Sequence, residues 1–204
     1  MRIGLGFDSH AFKKDIPLVI GGLHIDHPEG LAGHSDGDLL LHAITDALLG
    51  AVSAGDIGTF FPPSDPKWKG ADSTLFLKTA LEEIALVGFK IVNIDCVLIM
   101  HRPKIVPIAG EMRERVADLL HLDINNVSIK GKTPEGLPQD GTAVAHVVVL
   151  LESIALPNEH KKLAVEADIP NEAEVTAALT AVSKPRDLSS LGRKLPTFDT
   201  DDLT

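Results

Sequence analysis

Two stretches decide the fold: Arg2-Ile3-Gly4-Leu5-Gly6-Phe7-Asp8-Ser9-His10, and Leu39-Leu40-Leu41-His42-Ala43-Ile44-Thr45-Asp46-Ala47-Leu48-Leu49 further along. The first reads as a strand, in which side chains alternate between faces. Ile3, Leu5 and Phe7 share one face, and Gly4, Gly6, Asp8 and His10 share the other. Glycines on that second face allow another element to approach closely. The second stretch reads as a helix that begins at His34-Ser35-Asp36-Gly37-Asp38. From Gly37 to Gly55 it carries no Lys, Arg or Glu, and a helix apolar nearly all round is a buried one. Its polar residues Asp38, His42, Thr45 and Asp46 fall at i, i+4, i+7 and i+8, on one stripe. A buried polar stripe requires partners.

Asp8 and His10 on one strand face, with His42 from a separate element, supply three metal ligands of the types zinc accepts. An open fourth position marks catalytic rather than structural zinc. Asp38 or Asp46 is then placed to fix the imidazole tautomer from behind. The alternative for His42 is a core histidine hydrogen-bonded to Asp46.

Outward from this pair, Pro17–Asp26 reads as a strand with a bulge at Gly21-Gly22. Residues 56–66 read as a loop, since Pro62, Pro63 and Pro66 do not fit a helix interior. Ser73–Val87 is a helix capped by Asp72 or Ser73 and ended by Gly88. Phe89–His101 is a strand, Pro107–Leu120 a helix, and Val127–Lys132 and Val144–Glu152 are strands. The expected class is α+β, one mixed sheet with helices packed on one face. Residues 1–154 form the catalytic domain in this reading. Residues 155–204 form a C-terminal extension, largely disordered, with one possible helix at Glu172–Ser183.

Composition bounds the function. The 204-residue chain is long enough for one sizeable core. Its net charge of −10 argues against nucleic acid. It also requires local cations or N–H donors for any anionic substrate. No apolar run approaches a membrane span, and Met1-Arg2-Ile3 leads directly into a strand rather than a signal or transit peptide, which suits the cytoplasm. The single Cys96 lies in an apolar run and is expected to be buried and inert; it excludes disulfides and a cysteine zinc site.

Phosphate signals are weaker. Lys130-Gly131-Lys132-Thr133-Pro134-Glu135-Gly136 follows a strand, but Asn126 stands where a P-loop needs Gly, and Pro134 opposes an immediate helix. Gly4-Leu5-Gly6 likewise lacks the third glycine of a dinucleotide fingerprint. What remains is a loop able to contact phosphate and to hold a hard cation through Glu135. His34-Ser35, ahead of the helix, would meet anions at its N-terminus, unless Asp36 caps it instead.

Taken in order, Arg2-Ile3-Gly4-x-Gly6-Phe7-Asp8-x-His10, His34-Ser35-Asp36-Gly37-Asp38, His42-Ala43-x-Thr45-Asp46-Ala47-Leu48-Leu49-Gly50, Gly55-Asp56-Ile57-Gly58, Phe61-Pro62 and Lys69-Gly70-Ala71-Asp72-Ser73 resemble the 2-C-methyl-D-erythritol 2,4-cyclodiphosphate synthase family. The resemblance runs from Met1 to about Glu152. It implies a homotrimer with active sites between subunits. It implies Zn²⁺ on Asp8, His10 and His42, and a second divalent ion, Mg²⁺ or Mn²⁺, at Glu135. His34 and Thr133 match positions that stabilise the transition state. Asp56 and Gly58 match positions contacting ribose and substrate, and Phe61 and Asp65 lie in the loop that touches methylerythritol phosphate. Met100, Pro103, Lys104, Ile105 and Val106 match the cytidine pocket of the adjacent subunit. Further substrate contacts are expected from Ser9, Ser35, Ile57, Lys132 and Pro134. The chain departs from the common pattern at Pro63, where many members carry Asp, and at Gln139 and Thr142, where an aromatic residue and an Arg are frequent.

The implied reaction is cyclisation of 4-diphosphocytidyl-2-C-methyl-D-erythritol 2-phosphate. The 2-phosphate attacks the β-phosphorus and CMP leaves, in non-mevalonate isoprenoid biosynthesis. Two alternatives remain at this point. One is a zinc-dependent phosphoester hydrolase using Asp38 or Asp46 as base. The other is a non-enzymatic trimeric binding module with structural zinc.

Overall fold

Gly4 and Gly6 set the central packing of the protein. In the computed structural model, which describes residues 1–136 and 141–154, β1 (Arg2–Lys14) lies against α1 (Leu39–Ala51). A Cβ built on Gly4 would stand 1.8 Å from the Ala47 carbonyl oxygen, and one on Gly6 1.8 Å from that of Ala43. Only glycine permits this approach. It brings the polar stripe of α1 down onto the Asp8/His10 face of the strand.

The sheet is completed by β4 (Glu29–Leu31), β5 (Phe89–Ile99), β6 (Val127–Lys132) and β7 (Thr142–Ser153), in the order β4-β1-β7-β5-β6. β5 and β6 run parallel, joined through α4 (Ala109–Leu120), and the other pairs are antiparallel. The sheet is therefore mixed, in an α+β arrangement. Its buried face presents Ile91, Ile94, Cys96, Leu98, Val127, Ile129, Val147, Val149 and Leu151 to α1, α3 (Ser73–Leu86) and α4. The Cys96 thiol is buried among them, and burial pushes its pKa up to about 12, as befits an inert core thiol. The opposite face is open: Ile3 is 72% exposed, Leu5 68% and Phe7 52%, next to Val148 and His146 on β7.

Register places the functional ends together. Asp8 pairs with Ala145, Ala145 with Leu98, and Leu98 with Gly131. Asp8 and Gly131 thus share one row across four strands, on the order of 14 Å apart at the usual strand spacing.

The observed structure corrects several expectations. Pro17–Asp26 is not a bulged strand. Gly21 and Gly22, both with positive φ, form the two-residue turn of a hairpin between β2 (Leu18–Ile20) and β3 (Leu23–Ile25). The helix begins at Leu39 rather than His34, because Gly37 has φ +76° and Asp38 is the cap. The 56–66 loop contains a short helix, α2 (Ile57–Phe60), and Pro66 opens a 3₁₀ turn, Pro66–Trp68. The expected helix from Pro107 starts as a 3₁₀ turn, Val106–Ile108, and becomes α-helical at Ala109. Among the described residues, no helix is long and apolar enough to cross a membrane. The extension, with its expected helix at Glu172–Ser183, and Gln139 lie outside the described residues.

Candidate metal centre and nucleotide cavity

Asp8 and His10 project from β1 because alternate strand residues share a face, and His42 descends from α1 at the glycine-lined crossing. Asp8 Oδ2 lies 2.8 Å from His10 Nε2 and 3.0 Å from His42 Nδ1, and the two imidazole nitrogens are 3.2 Å apart. The donor atoms all lie within 4.8 Å of one another. This donor set suits zinc: two imidazoles and a carboxylate, partly buried, with space on one side. The far nitrogens are also engaged. His10 Nδ1 donates to the Ala32 carbonyl at 2.5 Å, and His42 Nε2 meets Ser35 Oγ and Ser73 Oγ, each at 2.9 Å. Ligating histidines are normally held in this way from behind.

Burial opposes ionisation of Asp8, but hydrogen bonds from His10 and His42 outweigh it and hold the carboxyl well below the usual range. For His10, burial disfavours the cation, and the Asp8 carboxylate more than reverses that, so its pKa is raised. The Asp8 backbone neighbour assists: Ser9 N–H donates to Asp8 Oδ1 at 2.8 Å.

Two cavities flank this end of the sheet. One, of about 220 Å³, is lined by His10, His34, Ser35 and His42 on one side and by Ile57, Gly58, Phe61, Pro63, Trp68 and Phe76 on the other. The aromatic wall is internally packed, with Phe61 4.4 Å from Phe76 and edge-on to Trp68 at 4.8 Å between ring centroids. The second cavity, of about 350 Å³, is lined by Met100, Pro103, Lys104, Ile105, Val106, Gly131, Lys132, Thr133 and Glu135. Gly131 is required there, since a Cβ would stand 2.7 Å from Ile105 Cβ. Thr133 Oγ1 donates to Glu135 Oε1.

A sequence profile of the YgbB family matches residues 1–152. The 2-C-methyl-D-erythritol 2,4-cyclodiphosphate synthase of Koribacter versatilis (strain Ellin345) is 63% identical over 152 residues, spanning 74% of this chain and 98% of that relative. The chain belongs to the 2-C-methyl-D-erythritol 2,4-cyclodiphosphate synthase family. Among solved structures, a CDP-bound form of such a synthase superposes with TM-score 0.70 at 40% identity, covering 74% of this chain and 100% of that one. The Plasmodium falciparum IspF–CDP complex superposes with TM-score 0.66 at 32% identity, covering 76% and 97%.

The residues expected from the family resemblance thus fall into two groups. Asp8, His10, His34, Ser35, His42, Ile57, Gly58 and Phe61 gather around the first cavity. Met100, Pro103, Lys104, Ile105, Val106, Lys132, Thr133 and Glu135 line the second. The cavities share no lining residue, so Glu135 and Thr133 line a different cavity from His10 and His42. Ser9, Asp56, Asp65 and Pro134 line neither. The Ser9 side chain falls on the open face of β1 by strand alternation. Asp56 caps α2, and Asp65 caps the Pro66–Trp68 turn.

Asp38 and Asp46 do not fix His42. Asp38 is fully buried and accepts from Gly21 N, Gly22 N, Leu40 N and Leu41 N. Burial pushes its carboxyl up, and the bonds from Leu41, Gly22 and Gly21 only partly offset this. Asp46 accepts from Ile57 N at 2.8 Å. Thr45 satisfies itself by donating to the Leu41 carbonyl. Sequence reasoning missed Ser73 and Asp36 as the groups behind His42, and Trp68 and Phe76 as cavity walls. The Lys69–Ser73 motif was the available signal, but it reads locally as a helix cap.

Proposed function

We propose that this chain converts 4-diphosphocytidyl-2-C-methyl-D-erythritol 2-phosphate to 2-C-methyl-D-erythritol 2,4-cyclodiphosphate and CMP, a phosphorus–oxygen lyase reaction of non-mevalonate isoprenoid biosynthesis. The observation that carries this reading is the convergence of Asp8, His10 and His42 on one point at the edge of a cavity, in a member of this family. In this reading Zn²⁺ is held by that triad and a second divalent ion, Mg²⁺ or Mn²⁺, by Glu135. When bound, these ions supply Lewis-acid neutralisation of the diphosphate and of the departing phosphate.

The chain's own residues do the remainder. The substrate's 2-phosphate is already an anion at neutral pH, so no strong base is needed, and catalysis rests on positioning and charge. Lys104 and Lys132 bring positive charge to the cavity with Met100, Pro103, Ile105 and Val106, which suits a cytidine diphosphate. His34 and Thr133 are assigned to stabilising charge on the reacting phosphates. Ser35, Ile57, Gly58 and Phe61 shape the space for the methylerythritol phosphate, with Asp56 and Asp65 in its bordering loop. Two features favour completion of each site by a neighbouring copy in a homotrimer. The two groups of residues occupy separate cavities, and the Ile3/Leu5/Phe7/Val148 face is apolar and open. The acidic chain is assigned to the cytoplasm, without nucleic-acid or membrane partners.

The hydrolase alternative is weakened, because Asp38 is buried with both oxygens held by backbone N–H groups and Asp46 turns one oxygen to Ile57 N. The test is product analysis. Incubation with the cytidyl substrate, Zn²⁺ and Mg²⁺, followed by ³¹P NMR and chromatography, is expected to show CMP and a cyclic diphosphate in equal amounts. A linear hydrolysis product, or no turnover, would overturn the assignment.

A further inference from the structure

His42 is gripped by two hydroxyls, and only one of them has its proton committed elsewhere. Ser73 Oγ lies 2.5 Å from Asp36 Oδ1. The Asp36 carboxylate also accepts from Ser73 N at 3.0 Å and from Asp38 N at 3.1 Å. A carboxylate accepts only, and a serine has a single hydroxyl proton. Ser73 therefore gives its proton to Asp36 and turns a lone pair toward His42 Nε2, 2.9 Å away. The Nε2 atom must then carry a proton, so that a metal displacing the Asp8 contact meets the Nδ1 lone pair. Nδ1 is the atom that faces Asp8 and His10.

Ser35 cannot make this choice. Its Oγ is also 2.9 Å from Nε2, with 3.4 Å contacts to Gly37 N and Ser73 Oγ, so its own proton is not tied to an acceptor-only group. Ser73 is 0% exposed, so solvent does not replace its hydroxyl. Asp36 is itself anchored: its N–H donates to the Ala71 carbonyl, and Gly70 N–H donates to that of His34. The start of α3, the loop before it and the strand-to-helix connection are thus joined directly behind one ligand.

We infer that Ser73, held by Asp36, is a positioning residue that fixes the tautomer of His42 and thereby sets how tightly the centre holds its metal. This rests on the reading of Asp8, His10 and His42 as that centre. Partners behind a ligating histidine typically govern metal affinity by about 10–100-fold. Asp36→Asn is the sharpest variant: it keeps the shape, but its amide can donate to Ser73 and release the serine proton toward Nε2, favouring the wrong tautomer.

The experiment uses the full chain, stripped of metal and titrated with Zn²⁺ against a chromophoric chelator. Ser73→Ala and Asp36→Asn are each expected to weaken Zn²⁺ binding by about 10–100-fold, and Ser35→Ala by less than either. The Ser73→Ala/Asp36→Asn double variant should be no weaker than Ser73→Ala, because both changes break one chain of bonds. In metal-free wild-type protein at mildly alkaline pH, ¹H–¹⁵N correlation of labelled histidine should show a proton on His42 Nε2, whatever Nδ1 carries toward Asp8. The inference is overturned by wild-type affinity in Ser73→Ala and Asp36→Asn, by an equal loss in Ser35→Ala, or by a His42 whose Nε2 carries no proton. The tautomer measurement needs no variant to fold. A wild-type chain that takes up no Zn²⁺ would instead reject the metal centre itself.

Discussion

Gly6→Ala tests whether the strand–helix crossing is what assembles the metal centre. The added Cβ would lie 1.8 Å from the Ala43 carbonyl oxygen, 2.8 Å from its carbon and 2.9 Å from Ala47 N. These are backbone atoms of α1, which no rotamer change can clear. Real Cβ contacts keep at least 3.0 Å, so helix and strand must part by at least about 1.2 Å. Ala43 adjoins His42, and Gly6 is followed closely by Asp8 on the same strand face. The gap therefore opens between Asp8 and His42, now 3.0 Å apart. Overpacking of this kind costs about 1–3 kcal/mol or more, and each kcal/mol lowers the midpoint by about 2–4 °C in a domain near this size. Melting of metal-stripped and Zn²⁺-loaded protein is expected to show a lower midpoint for both and a smaller Zn²⁺-induced rise, since ligand stabilisation follows affinity. Gly50→Ala is the control in the same helix: nothing lies nearer to its added Cβ than Leu5 O at 4.0 Å, and the change is expected to stabilise by up to about 1 kcal/mol. A Gly6→Ala protein with wild-type Zn²⁺ affinity would refute the claim that this contact sets the ligand geometry.

His42→Ala should abolish turnover and strongly weaken Zn²⁺ uptake while circular dichroism shows a folded chain; an active, metal-loaded variant would remove the assignment. Glu135→Gln should lower kcat more than it weakens CDP binding, because the shape stays and the anion is lost, with a barrier increase of several kcal/mol if the second cation's charge goes with it; unchanged kcat at ordinary Mg²⁺ would exclude Glu135. Leu5→Glu places a charge on the open apolar sheet face and should yield monomers by light scattering, whereas an intact trimer would place the interface elsewhere. Deleting residues 158–204 should leave assembly and CMP release in place, since the family match ends at residue 152; an inactive or monomeric truncated chain would show that the extension is structural.

What was legible in the sequence followed from periodicity. The two faces of β1, the all-round apolar α1 and the span of β6 each have a repeat that local reading detects. The misread elements are those in which a local pattern admits two structures. Gly21-Gly22 between apolar residues fits a bulge as well as a turn, and the positive φ of both residues decides it. Ser35, Asp36 and Asp38 are all acceptable caps; Asp38 wins because it also binds the hairpin turn through Gly21 N and Gly22 N. The grouping of Asp8, His10 and His42 was readable because such residue types are unusual in this setting. Ser73 was not, since a serine at a helix start has an ordinary local use, and its bond to His42 spans 31 positions.

The carboxylates make the same point in chemical terms. This region of an acidic chain carries many Asp residues, which exposed and unpaired would repel a polyanion. Their oxygens are nearly all turned to backbone donors. Asp38 caps α1, Asp56 caps α2, Asp72 caps α3 and Asp65 caps the Pro66–Trp68 turn, while Asp46 holds Ile57 N and Asp36 holds Ser73 N. Each bond satisfies an N–H that the start of a helix leaves without a partner, and each sets part of a negative charge against the positive end of a peptide dipole. The N–H groups ahead of α1 are consequently not available to bind phosphate, as the His34-Ser35 segment had suggested; Asp38 has taken Leu40 N and Leu41 N. Asp8 differs from the rest. One of its oxygens is held by Ser9 N, and the other is presented to two imidazoles. In the proposed reading, attraction for an anionic substrate comes from groups the capping network leaves over: a metal held at the triad, and the lysines of the second cavity. Both sit at the same end of the sheet, where the register of four strands places them.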